Sequence, residues 1–278
     1  MCVFRTFAAS MVALALFAEP SMAASGTALG VKPQAEADTA GSIRVLTVGA
    51  DIFIGDNVTT GPKGQVQIKF SDETELVVGP NSALLIEDYL LRSDQSVGRF
   101  AINALSGTFR FATGESDHDK YVIKTPTGTI GVRGTEFDFT VGGGETQVLL
   151  YNGEVLLCNT DRKCVTLTGS CEIGVYDPSE STIVGNVDHI SGRQRQELRA
   201  AFMYARSQMP LLREFRFEEA LHCFNPGLRS GPMASLAEGT SDGSSVVIKP
   251  DPGPDSEPDP DTCSGGGHGH HRHRRHHD

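Results

Sequence analysis

Between Thr125 and Val141 the chain changes character in mid-course, and few folds accept such a segment. Its first half is punctuated by Gly128, Gly131 and Gly134, residues that reach positive φ or let one backbone approach another at little steric cost. Its second half alternates strictly. Phe137, Phe139 and Val141 fall on one face of a strand, and Glu136, Asp138 and Thr140 on the other. Arg133 sits between the halves, flanked by Val132 and Gly134. It is expected to enter or border the core, with Glu136, Glu87 or Asp88 as its partner, because a charge is not buried unpaired.

The same segment carries a family resemblance. Thr125-Pro126, then Gly131-Val132-Arg133-Gly134-Thr135-Glu136-Phe137, resembles the T-P-x-x-x-x-G-V-R-G-T-x-F signature of FecR domains. An upstream block matches in the same order: Gly55-Asp56 to Gly61, Gly64, Phe70-Ser71-Asp72, and Gly79-Pro80-Asn81-Ser82. The resemblance implies a FecR-like β domain over residues 41–175, built as an antiparallel β-sandwich or a short β-solenoid-like domain. It also implies a sensory and regulatory module with no chemistry of its own. Typical relatives carry a cytoplasmic part that handles a sigma factor, one transmembrane helix, and a periplasmic FecR domain. That domain receives a signal from an outer-membrane iron-siderophore receptor.

Composition points to the same fold class. The chain has no Trp, 31 Gly and 14 Pro, and its first 190 or so residues read as short alternating segments, the profile of an all-β domain. The formal net charge of −11 excludes nucleic acid as a partner of the folded body, because phosphate would be repelled.

Residues 1–23 read as a secretory signal peptide: Arg5, an apolar run from Phe7 to Ala18, and a small-x-small site at Ser21-Met22-Ala23. That run is shorter than the ~20 residues a membrane span needs. The expected mature chain is periplasmic or secreted, does not span the membrane, and cannot touch a sigma factor directly. An oxidising compartment permits disulfides. Cys158 and Cys164 flank a polar turn between two apolar runs and are expected to pair. Cys171 and Cys223 could form a second pair tying the helical segment to the sheet, which leaves Cys263 odd.

Along the chain, residues 24–40 read as a flexible lead-in. Strands follow at 43–48, 51–54, 65–70, with Val66, Ile68 and Phe70 inward, and 74–78. The relatives' D-G-S turn is here Asp72-Glu73-Thr74, which argues for a longer connection than a two-residue type I′ turn. Residues 83–91 form a further strand, and 99–105 with 107–111 read as a hairpin joined near Ser106-Gly107. Gly142-Gly143-Gly144 is a turn, and Asn152-Gly153 signals a hairpin between 146–151 and 154–157.

After Ser191, a plausible N-cap, the period becomes helical: Leu198, Phe202, Ala205, Met209 and Leu212 recur every three or four residues. The segment 191–224 is expected to pack on the sheet as two helices broken by Pro210. Residues 231–278 lack periodicity and read as a disordered Pro/Asp-rich linker ending in a His-rich tip. His268, His270, His271, His273, His276 and His277 make that tip a weak transition-metal site, and no other cofactor is expected.

No enzyme motif appears. The three glycines lead into a strand rather than a helix, so they are no dinucleotide fingerprint. Glu136 and Asp138 read as acids on the wet face of a strand rather than a catalytic pair. The function expected is a non-enzymatic, protein-binding sensory or regulatory module of the cell envelope. The alternative is a secreted structural or adhesive module with a metal-binding tail.

Overall fold

The computed structural model describes residues 23–91, 97–114 and 121–224. The readings of the N-terminal residues as a signal peptide and of 231–278 as a linker with a His-rich tip fall outside these residues. The described chain opens with β1 (Gly26–Lys32), β2 (Ala35–Thr39), β3 (Ser42–Val45), β4 (Asp51–Ile52) and β5 (Asp56–Thr60). Next come β6 (Gln65–Phe70), β7 (Glu75–Val78), β8 (Ala83–Leu91), β9 (Val97–Ala112) and β10 (Tyr121–Thr125). The strands end with β11 (Gly128–Gly142), β12 (Glu145–Asn159), β13 (Cys164–Leu167), β14 (Glu172–Tyr176) and β15 (Ser181–Asn186). A 3-10 turn at Val187–His189 leads into α1 (Gly192–Ala201) and α2 (Met203–Arg206). A second 3-10 turn at Arg213–Phe215 precedes α3 (Glu218–Cys223).

All strands belong to one hydrogen-bonded network, doubled over into two layers. The doubling is possible because the three longest strands each bend at a glycine in the left-handed region: β9 at Gly107 (φ 115°), β11 at Gly134 (φ 60°) and β12 at Gly153 (φ 88°). The first half of β9 pairs with β8 and β10, and its second half with β7 and β11. One layer therefore runs β13-β12-β11-β10-β9-β8-β5-β2-β3, and the other β15-β14-β12-β11-β9-β7-β6-β1-β4. Their inner faces make the core. Phe100 and Phe111, from the two halves of β9, have ring centres 5.7 Å apart, and Phe70 on β6 packs on Tyr89 of β8 at 5.5 Å.

The outer face of the second layer is buried as well. The row Gln67, Val77, Arg110, Asp138, Leu149, Ile173 crosses six strands in register, and all six side chains are buried. The helical segment covers it. Tyr204, Leu211 and Phe215 pack on Val77, while Leu198, Phe202 and Phe217 pack with Leu149, Tyr151 and Ile173. The Leu212 amide donates to Gln67 Oε1 at 2.7 Å, and Gln65 Nε2 donates to the Pro210 carbonyl at 3.3 Å.

Several expectations change. The lead-in at 24–40 is two strands: β1 pairs with β6 and β4, and β2 with β5 and β3. The hairpin read at Ser106-Gly107 is a single bent strand, and so is the one at Asn152-Gly153. The positive φ of Gly153 serves a bend opposite Gly134. A Cβ at Gly153 would collide with the Gly134 carbonyl. The β11–β12 turn lies at Gly143-Gly144, within the turn expected at Gly142-Gly143-Gly144, with Gly142 opposite Glu145. The network is antiparallel except for β9–β10, which is parallel. The β6–β7 connection is the longer kind expected, with the Phe70 amide on the Thr74 carbonyl and Glu73 at φ 67°.

In the helical segment the break falls at Phe202, and Pro210 lies in a later turn. Leu198, Phe202 and Ala205 are buried, whereas Met209 and Leu212 are exposed. Ser191 occupies the N-cap position without a side-chain capping bond. Both disulfides form. Cys158–Cys164 joins β12 to β13, and Cys171–Cys223 ties the sheet to α3.

Candidate functional site

The FecR-like signature residues divide into those that build turns and core and those on an exposed face. In the first set, Asp56 accepts hydrogen bonds from the Phe53 amide (2.8 Å), Thr39 and Arg44, knitting β5 to the strands before it. Gly55 (φ 89°) and Asn81 (φ 52°) hold positive-φ turns. A Cβ at Gly61 would strike Gln34, and at Gly79 would press on the Thr108 carbonyl beside Pro80. Ser82 receives the Thr108 amide at 3.0 Å, next to the Gly107 bend. Thr125 and Pro126 begin the β10–β11 turn, where Thr125 lies 3.0 Å from the Tyr176 hydroxyl. Val132, Thr135 and Phe137 are buried, and the Thr135 amide donates to Thr113 Oγ1 at 3.0 Å.

Arg133 departs from the expectation. Its side chain is 69% exposed and its partner is Glu154, directly across on β12, at 3.8 Å. Neither Glu136 nor Glu87 or Asp88 pairs with it; Glu87 meets Lys124 and Asp88 meets Arg99. The reason is strand parity. Val132 points into the core, so Arg133 must point out.

That outward face belongs to the first layer, the one the helical segment leaves uncovered. Ala101, Val122, Gly131, Leu156 and Thr166 stand side by side across five strands. Gly131 contributes no side chain, so the row dips into a shallow hollow of about 270 Å³. Val122, Leu156, Arg133 and Glu154 are among its walls. Ordinary van der Waals space lies above Gly131, its first neighbour standing 3.6 Å from where a Cβ would be. The arrangement offers an apolar floor with a positive and a negative group on one rim.

The sequence reading missed a second cluster. Asp138, read as a wet-face acid, is fully buried because the helical segment covers its side of β11. Arg110 stands opposite it and donates through Nε (2.7 Å) and Nη2 (3.0 Å). Arg110 Nη1 also reaches Gln208 and the Phe215 carbonyl, and its guanidinium lies 4.5 Å from the Phe217 ring centre. The Tyr151 hydroxyl donates to Asp138 at 2.6 Å, and burial beside that carboxylate holds the phenol well above its usual pKa. Burial opposes the charge on Arg110, but Asp138 more than offsets this and keeps the group protonated. The cluster clamps the helices to the sheet.

Glu75 and Glu136 flank this clamp, both in register with Ala112. Burial, reinforced by Glu214, Glu136 and Glu73 and opposed by Lys69, pushes Glu75 up to about 7. Burial and then Glu219 raise Glu136. Among the described residues no group of three or more His, Cys, Asp or Glu is placed to hold a metal ion. No described helix is long and apolar enough to cross a membrane.

The described residues thus form a two-layer β scaffold with one outer face covered by the helices and the other open. Residues 56–156 match the family model described as FecR protein. No curated protein matches the chain. Two crystal structures of a proposed anti-sigma factor from Parabacteroides distasonis ATCC 8503, at 1.65 and 2.50 Å resolution, are similar at 13% and 12% identity. Each has a TM-score of 0.37, and each match covers 47% of this chain and 59% of the other.

Proposed function

We propose that the chain is a non-enzymatic regulatory or sensory module of the cell envelope that recognises a protein partner through the open face around Gly131 and Arg133. One observation carries the reading. Within a FecR signature whose residues otherwise serve turns and core, Arg133 projects to solvent beside the uncovered apolar hollow that Gly131 opens. An exposed Arg at the rim of an apolar depression is a common anchor of protein interfaces. The two disulfides support an oxidising, extracytoplasmic setting. The test uses the full chain as bait in a periplasmic extract, beside Arg133→Glu and Gly131→Leu variants. A protein retained by the wild type and lost by both well-folded variants supports the reading. Equal retention by all three, or retention only of envelope polymer, overturns it.

A further inference from the structure

A second hollow, of about 580 Å³, lies on the solvent side of the helical segment, between the end of α2 and the start of α3. Its volume falls within the range of about 300–1,000 Å³ typical of ligand pockets. Arg206, Arg213 and Arg216 surround it, with Glu218 as the one carboxylate in its lining. Phe217, buried with its ring turned inward, closes the bottom of the hollow, and Met209 and Leu221 supply its apolar wall. Gln208 receives the Phe217 amide at 2.8 Å and donates to the Phe217 carbonyl at 2.7 Å, and the Arg110 guanidinium backs the ring. Arg216 is set in place by two bonds to the Leu211 carbonyl, at 2.9 and 2.7 Å. Among the described residues, neither Arg206 nor Arg213 forms an ion pair with a carboxylate. Met209 stands over the rim with 87% of its surface exposed. An exposed thioether costs hydration and adapts readily to an apolar guest.

We propose that this hollow binds a short acidic peptide segment of a partner protein, with an apolar side chain against Met209 and Leu221 and carboxylates on the arginine rim. Charge complementarity selects that occupant. Three guanidiniums gather here on a chain whose formal net charge is −11, and their planar forks match carboxylates. The concavity fits an inserted side chain rather than a flat bilayer. The site lies outside residues 56–156 and is independent of the Arg133 face.

The test is fluorescence anisotropy of the full chain with a fluorescein-labelled peptide, Asp-Glu-Leu-Phe-Glu-Asp. Saturable binding that weakens with added salt is expected. The pair Arg206→Glu, Arg213→Glu is expected to weaken it about 10-fold or more, and Arg133→Glu to leave it unchanged. Should the reversal pair melt early, the neutral pair Arg206→Gln, Arg213→Gln is expected to show a smaller loss in the same direction. Three results overturn the proposal: no saturable binding up to about 1 mM peptide, equal affinity in the variants, or capture by phosphatidylglycerol vesicles without capture by the peptide.

Discussion

Arg110 and Asp138 stand directly opposite each other on β9 and β11, with both side chains buried and joined by bonds of 2.7 and 3.0 Å. Each charge depends on the other. Arg110→Met or Asp138→Asn is expected to cost about 3–5 kcal/mol, since either leaves its partner buried without compensation. The double variant Arg110→Met, Asp138→Leu is expected to recover part of that loss. Denaturant unfolding of the three proteins checks both points.

Arg133 is expected to behave in the opposite way. It is exposed and its Glu154 partner is 3.8 Å away, so Arg133→Ala should unfold within about 0.5 kcal/mol of the wild type. A loss of several kcal/mol in the same assay would restore the buried-clasp reading of this residue.

The two disulfides should differ in weight. Cys171–Cys223 closes a separation of 52 residues and Cys158–Cys164 one of 6. The chain-entropy model gives about 4 and about 2 kcal/mol respectively. Paired Cys→Ala variants, melted under non-reducing conditions, should rank in that order.

Glu75 links stability to pH. Its carboxyl is pushed up to about 7 in the folded chain from 4.5, so the folded state holds the proton more tightly. Its favourable contribution is complete below about pH 4.5 and is lost as pH rises through about 7. Glu75→Gln should therefore melt above the wild type at pH 8, with the difference shrinking towards pH 5. Each kcal/mol regained corresponds to about 2–4 °C at this size. A pH-independent difference would refute the assignment.

The glycines separate by role. At Gly153 (φ 88°) a side chain meets both a left-handed backbone and the Gly134 carbonyl, so Gly153→Ala should cost about 1–2 kcal/mol or more. Gly131→Ala meets only an ordinary van der Waals contact with Leu156 and should cost less than about 0.5 kcal/mol. Thermal melts of the two variants make the comparison.

Much of the inner core could be read from period-two alternation. Val66, Ile68 and Phe70, and likewise Phe137, Phe139 and Val141, face inward as their spacing predicts. The Cys158–Cys164 pair followed from its turn, whereas local pattern left the pairing of Cys171, Cys223 and Cys263 open. What local pattern could not reveal was the third dimension. Asn152-Gly153 reads as a hairpin because positive φ is all a turn signal encodes, yet the same φ here bends a continuous strand. Asp138 read as solvated because alternation separates the faces of a strand without saying what covers each. The clue was present in the near-continuous apolar runs Leu76-Val77-Val78 and Val148-Leu149-Leu150-Tyr151, the mark of strands buried on both faces. Arg133 was misplaced although the alternation that buried Val132 already pointed it outward.

The shared strands bear on how this molecule can be cut. A recombinant fragment drawn on the matched region, residues 56–156, would begin at β5 and end inside β12. It would strip β1 from β6, β14 from β12, and the helices from Val77 and Arg110. Apolar surface and unpaired strand edges of that kind favour aggregation. A piece that keeps these contacts includes at least residues Ser25 to Phe224, and with them both cysteines of the longer cross-link.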